Sequence, residues 1–222
     1  MKPYDAPEFW NVIDAFNECG LLPHLMIIGS WSEYVYSQAF DDTLLAGFRT
    51  QDMDVLVPNI RVPKQGVNIF AELTDRGFVY HEDIVSGVGR FFGGRGMEVE
   101  FLVRALGQGQ STITVPCLNG LVAQSIRSLD ILTKHPLPLA IRGYTIVVPE
   151  PAAYVLHKLL INSKRKSAKQ EKDLSSIRSV LAFITTNSGQ EDQVRKIFDS
   201  LSANRKKHVQ STAAVNNILL PL

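Results

Sequence analysis

Two short segments determine the architecture of this chain: Leu25-Met26-Ile27-Ile28-Gly29-Ser30 and Asp52-Met53-Asp54-Val55-Leu56-Val57. The first is a continuous apolar run that ends on a glycine, which is typical of a buried strand. Helical spacing resumes over residues 32–40, so Gly29-Ser30 lies at a turn between a strand and a helix. The second segment alternates, which predicts a strand with both aspartates on one face and apolar side chains on the other.

A second acidic strand is predicted at Glu98-Val99-Glu100-Phe101-Leu102-Val103. In both strands, two acidic residues and then a leucine share one face. If the strands are neighbours with Leu56 and Leu102 at one level, Glu100 lies near Asp54. Acidic residues are depleted from strands, and neighbouring carboxylates repel each other unless a cation lies between them. The pattern therefore favours a site for Mg²⁺, which prefers carboxylate oxygens. The alternative is a set of acids on an exposed edge strand.

Gly29-Ser30 supplies a second chemical function. Backbone N–H groups at a tight turn leading into a helix point at an anion, and the helix dipole favours negative charge there. A glycine lets a phosphate approach the backbone, and the serine hydroxyl adds a donor. The turn alone is weak evidence, but its position between an apolar strand and the acidic strand at 52–57 indicates a phosphate site.

The rest of the chain predicts a mixed α/β part at 1–150 and a helical part at 151–222, with a boundary near residue 150 where Pro151 suits the first turn of a helix. Residues 87–96 are rich in glycine and predict a flexible loop or an open hairpin. Further helices are predicted at 7–19, 68–76, 152–162, 169–186, 190–201 and 204–219, and further strands at 78–81, 113–115 and 144–148.

Composition excludes several classes of protein. The 222 residues carry a net charge of +1, but residues 1–150 have 11 basic and 17 acidic side chains, whereas residues 151–222 have 12 basic and 5 acidic ones. An acidic half suits a metal site, and a basic half suits phosphate. No apolar stretch approaches the roughly 18 residues that span a bilayer, and the first residues do not resemble a secretory signal. Cys19 and Cys117 have no metal or redox spacing, so a cytoplasmic protein without membrane contacts is expected.

The sequence resembles the nucleotidyltransferase superfamily, whose fold is shared by DNA polymerase beta, kanamycin-type adenylyltransferases and many bacterial toxins. The resemblance covers residues 25–103, about a third of the chain. It rests on the order and spacing of three segments: Ile27-Ile28-Gly29-Ser30, Arg49-Thr50-Gln51-Asp52-Met53-Asp54-Val55-Leu56-Val57 and Val99-Glu100-Phe101-Leu102. The fold that this resemblance implies is a mixed sheet flanked by helices, followed by a helical C-terminal part.

The resemblance also implies the catalytic residues. Asp52, Asp54 and Glu100 would hold two Mg²⁺ ions, with Mn²⁺ as the alternative ion, in a two-metal arrangement that stabilises entering and leaving oxygens. Glu100 would lie nearest the acceptor hydroxyl and take its proton, and Glu98 is the alternative for that role. Gly29 and Ser30 would bind the phosphates of the nucleotide, and Arg49 would steer the carboxylates or the phosphates unless it serves only the loop surface.

A basic motif downstream resembles that of abortive-infection-type nucleotidyltransferase toxins and of uncharacterised bacterial relatives. Its residues are Lys158, Arg165, Lys169 and Lys172-Asp173. They lie on one stripe if the helix is unbroken, and would then bind triphosphate or RNA; the alternative is a solvated face of an amphipathic helix. Charge reversal at Lys158 is expected to weaken NTP binding without unfolding the protein.

These observations predict an enzyme that moves a nucleoside monophosphate from Mg²⁺–NTP to an acceptor hydroxyl. An RNA end, a protein hydroxyl and a small molecule are all compatible acceptors, and a protein partner is compatible too. The alternative is a catalytically silent nucleotide- or RNA-binding module of the same fold.

Overall fold

A computed structural model describes residues 6–40, 51–105, 107, 110–187 and 189–222. Compactness divides the chain into two units. The first comprises Met1–Trp31, Arg49–Arg127 and Pro138–Val148, and the second comprises Ser32–Phe48, Ser128–Leu137 and Pro149–Leu222. Each unit is made of three separate segments of the chain, whereas the sequence pattern predicts a single boundary between two parts near residue 150. The mixed α/β class with a helical C-terminal part is confirmed.

The first unit is built on a sheet of seven strands, with a separate hairpin of two strands. The sheet strands are β1 Met26–Ile28, β2 Asp52–Val57, β3 Val79–Glu82, β4 Gly89–Phe92, β5 Glu98–Arg104, β6 Thr112–Val115 and β7 Leu121–Ile126; the hairpin strands are β8 Pro136–Ile141 and β9 Tyr144–Pro149. The helices of this part are α1 Pro7–Glu18, α2 Ser30–Phe40, which continues into the second unit, and α3 Ile69–Thr74.

Strand β5 lies in the middle of the sheet. The order is β1-β2-β5-β4-β3, and β7 joins β5 beyond the end of β4 and pairs with β6. The pairs β2–β5 and β5–β7 are parallel, whereas the other sheet pairs are antiparallel. One face of the central strands is fully buried, and helix α1 packs on it, with the rings of Phe16 and Phe101 5.9 Å apart. The opposite face carries the acidic residues.

The sequence predicted most of these elements, and β2 has the predicted bounds. Residues 87–96 contain strand β4, which forms an open hairpin with β5. Strands β7 and β8 were not predicted. The sequence of β7, Leu-Val-Ala-Gln-Ser-Ile, lacks regular alternation, and β8 contains two prolines, which are depleted from strands. The β8–β9 hairpin forms because Arg142-Gly143 adopts two positive φ angles, 50° and 85°, as a two-residue hairpin turn requires.

The second unit is helical around one buried helix. Its helices are α4 Asp130–Thr133, α5 Pro151–Asn162, α6 Ser167–Thr186, α7 Gln190–Asp199 and α8 Ala203–Val215. Helix α5 is apolar nearly all round and is packed by α6, α7 and α8, as expected for a central helix. A bidentate ion pair at 2.7 and 2.8 Å joins Arg205 of α8 to Asp130 of α4. None of the helices in the described ranges combines the length and apolar character that a membrane-spanning segment needs.

Candidate active site

The acidic side chains of β2 and β5 lie in neighbouring strands, as predicted. The parallel register pairs Asp52 with Glu98 and Asp54 with Glu100, and Leu56 with Leu102. Register partners in adjacent strands share a face of the sheet, so all four carboxylates lie on the same face. The buried leucine pair closes this face toward the carboxyl ends of the strands, whereas the acidic residues are half-buried or exposed.

Gly29 touches the central carboxylate of this group. Strand β1 pairs with β2 so that Ile28 lies opposite Asp54, and Gly29 follows with φ +67°. A Cβ atom at residue 29 would lie 2.5 Å from Asp54 Oδ2, so the carboxylate would have to move to admit it. Ser30 begins helix α2, whose first N–H groups have no partners within the helix. The turn therefore places the N-terminal end of helix α2 next to an acidic residue of β2.

Replacing Gly29 by alanine should damage both the fold and the site. The left-handed backbone costs a non-glycine residue about 1–3 kcal/mol, and the new methyl group would displace the Asp54 carboxylate. We expect a lower melting temperature and a loss of response to Mg²⁺–NTP, both measured by thermal denaturation. Gly120→Ala is the matched control, since it has φ +83° and open space around its Cβ position. If Gly29→Ala matched Gly120→Ala in both measurements, the contact with Asp54 would have no consequence.

Arg90 of β4, which the sequence pattern did not indicate, lies beside the acidic residues of β5. The register pairs Arg90 with Glu100, and its guanidinium reaches two carboxylates: Nε lies 3.2 Å from Glu98 Oε1 and Nη2 lies 3.4 Å from Glu100 Oε1. Glycine-rich flanks hid the strand, although two consecutive aromatic residues, Phe91 and Phe92, are favoured in strands. Arg90 is a fixed positive charge at the edge of the acidic group.

The chemistry of the donors fits a divalent ion, although their present arrangement does not form a finished site. The carboxylates on one sheet face are hard oxygen donors of the kind that Mg²⁺ prefers. Across the residues that the structure describes, no three His, Cys, Asp or Glu side chains are gathered closely enough to hold a metal. Glu98 and Glu100 contact Arg90 instead. Side chains would have to rotate away from Arg90 before three of them shared an ion.

The predicted basic residues do not form a helical stripe. Helix α5 ends at Asn162 and α6 begins at Ser167, so the unbroken helix that a single stripe would require is not present. Lys158 is buried in α5, with 8% of its surface exposed, and its Nζ donates to Asp173 Oδ1 at 2.7 Å. Arg165, in the turn between the helices, approaches the same carboxylate at 3.4 Å. Lys169 is exposed on α6. Arg49 lies outside the described residues.

A buried polar group in the second unit surrounds Lys158. The hydroxyl of Tyr154 donates to Glu33 Oε1 at 2.5 Å, and both residues are almost completely buried. Burial raises the pKa of the Glu33 carboxyl, while hydrogen bonds from Tyr154 and Ser176 and the charge of Lys158 lower it. Burial also lowers the pKa of His157 to about 3, so its imidazole is neutral at pH 7. The predicted phosphate ligand Lys158 thus has a structural role as one partner of a buried ion pair.

Comparison with known proteins supports one assignment. A protein-family model described as "Nucleotidyltransferase" matches residues 8–201 of the chain, which extends from α1 to beyond the end of α7 and includes all the acidic residues of the candidate site. No curated protein matches the sequence.

Two solved structures are similar to this chain at low sequence identity. An antigenic nucleotidyltransferase-like protein from Paracoccidioides brasiliensis is 12% identical with a TM-score of 0.50, and the match covers 95% of this chain and 88% of that one. The antibiotic-resistance factor ANT(2'')-Ia is 13% identical with a TM-score of 0.43, over 94% and 90% of the two chains.

Proposed function

Because the chain belongs to the nucleotidyltransferase family, we propose that it transfers a nucleoside monophosphate from an NTP to an acceptor hydroxyl. The acceptor oxygen forms a bond to the α-phosphorus, the bond from that phosphorus to the bridging oxygen breaks, and pyrophosphate leaves. The observation that carries this proposal is the contact of Gly29 with Asp54 next to the Asp54–Glu100 register pair. The turn after β1 therefore lies next to the paired carboxylates of β2 and β5, which supports a single site for nucleotide phosphates and a metal ion.

The phosphates of the nucleotide would bind at Gly29-Ser30. The absent side chain at Gly29 lets the Asp54 carboxylate lie against the turn. The N–H groups at the start of α2 and the Ser30 hydroxyl would donate to a phosphate bound there. The helix dipole adds about 0.3–1 kcal/mol in favour of negative charge at this end. Lys169 is an exposed cation on α6, and with Arg49 and Arg165 it remains a proposed phosphate ligand.

Asp52, Asp54 and Glu100 are the residues that would hold Mg²⁺. When bound, the metal would neutralise phosphate charge and so lower the cost of bringing the acids and the triphosphate together. Glu100 lies in the strand beyond the aspartates as seen from the phosphate turn, which suits a carboxylate that holds the acceptor hydroxyl and accepts its proton. Glu98 shares this face and is the alternative residue for that role.

A second candidate function is a nucleotide- or RNA-binding module without turnover. The observation that favours it is the contact of Arg90 with both Glu98 and Glu100. An arginine that neutralises these acids permanently would replace a metal ion, and such a site binds anions without catalysing transfer.

One labelling experiment separates these functions. The protein is incubated with Mg²⁺, a cell extract and each NTP, labelled in one series at the α-phosphate and in the other at the γ-phosphate. Nucleotidyl transfer puts the α-label, and no γ-label, on a macromolecule or small acceptor. Label transferred from the γ-position would instead indicate a kinase. Nucleotide binding without transfer of either label would support the binding module.

A further inference from the structure

The sheet face that carries the acids continues across β4 and β3. Arg90 and Phe92 are the register partners of Glu100 and Glu98, and Val79 and His81 are in turn the partners of Phe92 and Arg90. Phe91, which lies between Arg90 and Phe92, points to the opposite face and is fully buried. A contiguous surface therefore leads from the candidate catalytic acids to the edge of the sheet.

Two large apolar side chains are exposed on this surface. Val79 is 56% exposed and its partner Phe92 is 36% exposed, although strand residues of this kind normally pack against a neighbour. The ring of His81 lies 5.4 Å from that of Phe92 at an interplanar angle of 89°. We call Val79, His81 and Phe92 the aromatic platform. It presents the exposed ring of Phe92 beside an imidazole, set at a right angle to it, that carries hydrogen-bonding nitrogens.

We propose that the aromatic platform binds the 3′-terminal nucleotide of a single-stranded RNA, so that RNA is the acceptor substrate. This inference rests on the proposed function, and it names the acceptor of the same site. The terminal nucleotide would stack its base on Phe92 and direct its ribose hydroxyls toward Glu98 and Glu100. Base stacking on exposed aromatic rings is the usual way in which proteins bind single-stranded RNA.

The strand order supports an acceptor at this position. The phosphate turn at Gly29 follows β1, on one side of the aspartates, whereas the platform lies on β4 and β3, beyond Glu100. An in-line displacement requires the entering and leaving oxygens on opposite sides of the phosphorus. A nucleotide bound at Gly29-Ser30 would therefore expose its α-phosphorus to an acceptor that arrives from the side of β4.

Charge on this surface is also compatible with a phosphate backbone. The acids would repel RNA, but Arg90, on the same strand and face as Phe92, contacts both glutamates through its guanidinium. It reduces the negative potential where the terminal nucleotide would approach. An exposed aromatic ring next to an arginine matches the base-stacking and phosphate contacts that RNA makes. A protein acceptor has neither a base nor a phosphate backbone to use them.

The test measures RNA binding and transfer separately. A fluorescent single-stranded RNA of mixed sequence is titrated by anisotropy with the wild type and with Phe92→Ala, Phe92→Tyr and Ile84→Ala. Ile84 is the matched control, since it is fully exposed beyond the end of β3 and outside the platform. Transfer of α-label to the same RNA and the thermal shift caused by Mg²⁺–NTP are measured on each protein.

Phe92→Ala should raise the Kd for RNA and lower kcat/KM for RNA by about tenfold, the usual effect of losing one base–aromatic contact. Phe92→Tyr should restore both, Ile84→Ala should stay within about twofold of the wild type, and the Mg²⁺–NTP shift should be the same in all four proteins. Equal RNA binding by Phe92→Ala and Ile84→Ala, or label found only on protein in the extract, would overturn the platform as an RNA site. RNA binding that depends on Phe92 without any transfer would retain the platform and overturn the transferase function instead.

Discussion

Replacing Asp54 by asparagine should lower the rate of nucleotidyl transfer by about 10³-fold or more while leaving the fold intact. Asparagine has the same shape, and Asp54 is half-buried on the open face of β2, so the substitution removes a charge without changing packing. Transfer to a hydroxyl depends on neutralising the phosphates and positioning the reactants, which makes a carboxylate at the centre of the site hard to replace. Transfer of α-label to the acceptor measures the loss.

Thermal denaturation measures whether the Asp54→Asn protein still binds Mg²⁺–NTP. A ligand that binds only the native state stabilises it by mass action, by about 2.7 kcal/mol at a concentration 100 times its Kd. Mg²⁺–NTP should raise the melting temperature of the wild type, and most of that rise should be absent in Asp54→Asn. Asp75→Asn, an exposed acid at the end of α3, is the control and should behave as the wild type. An Asp54→Asn protein that kept its activity would show that the site lies elsewhere.

Replacing Lys158 by alanine should lower the free energy of unfolding by about 3 kcal/mol or more. The sequence predicted that Lys158 tolerates charge reversal, but its ammonium is buried against Asp173 at 2.7 Å. Removing one partner of a buried ion pair leaves an uncompensated charge, which costs about 3–5 kcal/mol. The second partner, Arg165, is more exposed and lies 3.4 Å from Asp173, so it offsets part of this loss. Urea denaturation followed by circular dichroism measures the difference.

Two comparisons decide whether the ion pair is the cause. Lys207→Ala, at an exposed position of α8, should change the stability by no more than about 0.5 kcal/mol. The double variant Lys158→Met/Asp173→Leu removes both charges and should recover most of the loss, since apolar pairs often replace buried ion pairs without cost. A single variant as stable as Lys207→Ala would mean that the pair contributes nothing to folding.

Local sequence was sufficient to predict the centre of the site. Period-two alternation set the faces of β2 and β5, and the matching leucines set their register, because a slip of one residue would have turned the acids into the core. The sequence predicted the Asp54–Glu100 pairing on the condition that the two strands are neighbours, and the structure pairs them in this register. The contact of Gly29 with Asp54 arises at the strand-to-helix turn. The last residue of β1, Ile28, is the register partner of Asp54, so Gly29 comes next to the Asp54 side chain.

What the sequence did not predict depends on long-range packing. Arg90 lies in a glycine-rich segment whose strand exists because β5 and β3 pair with it. The two helices were predicted separately, at 152–162 and 169–186, but the single basic stripe required them to be continuous. Residues 163–166, Ser-Lys-Arg-Lys, interrupt that continuity without a glycine or proline. The break follows from tertiary contacts, including the hydrogen bond from Asn162 to the carbonyl of Gln170. Burial of Lys158 depends on the helices that surround α5, which no local pattern reports.

The position of β5 in the sheet has a consequence for how this protein is made. Strand β2 emerges from the ribosome well before Glu98–Arg104, yet β5 is the strand that covers its open edge. Until then, β2 presents unpaired backbone groups and the apolar row Met53, Val55 and Val57, which is the kind of edge that pairs with other chains. Nascent chains that stall or are cleaved before residue 98 therefore expose an unpaired strand edge. Such an edge promotes aggregation, so these incomplete chains would depend on chaperones for protection.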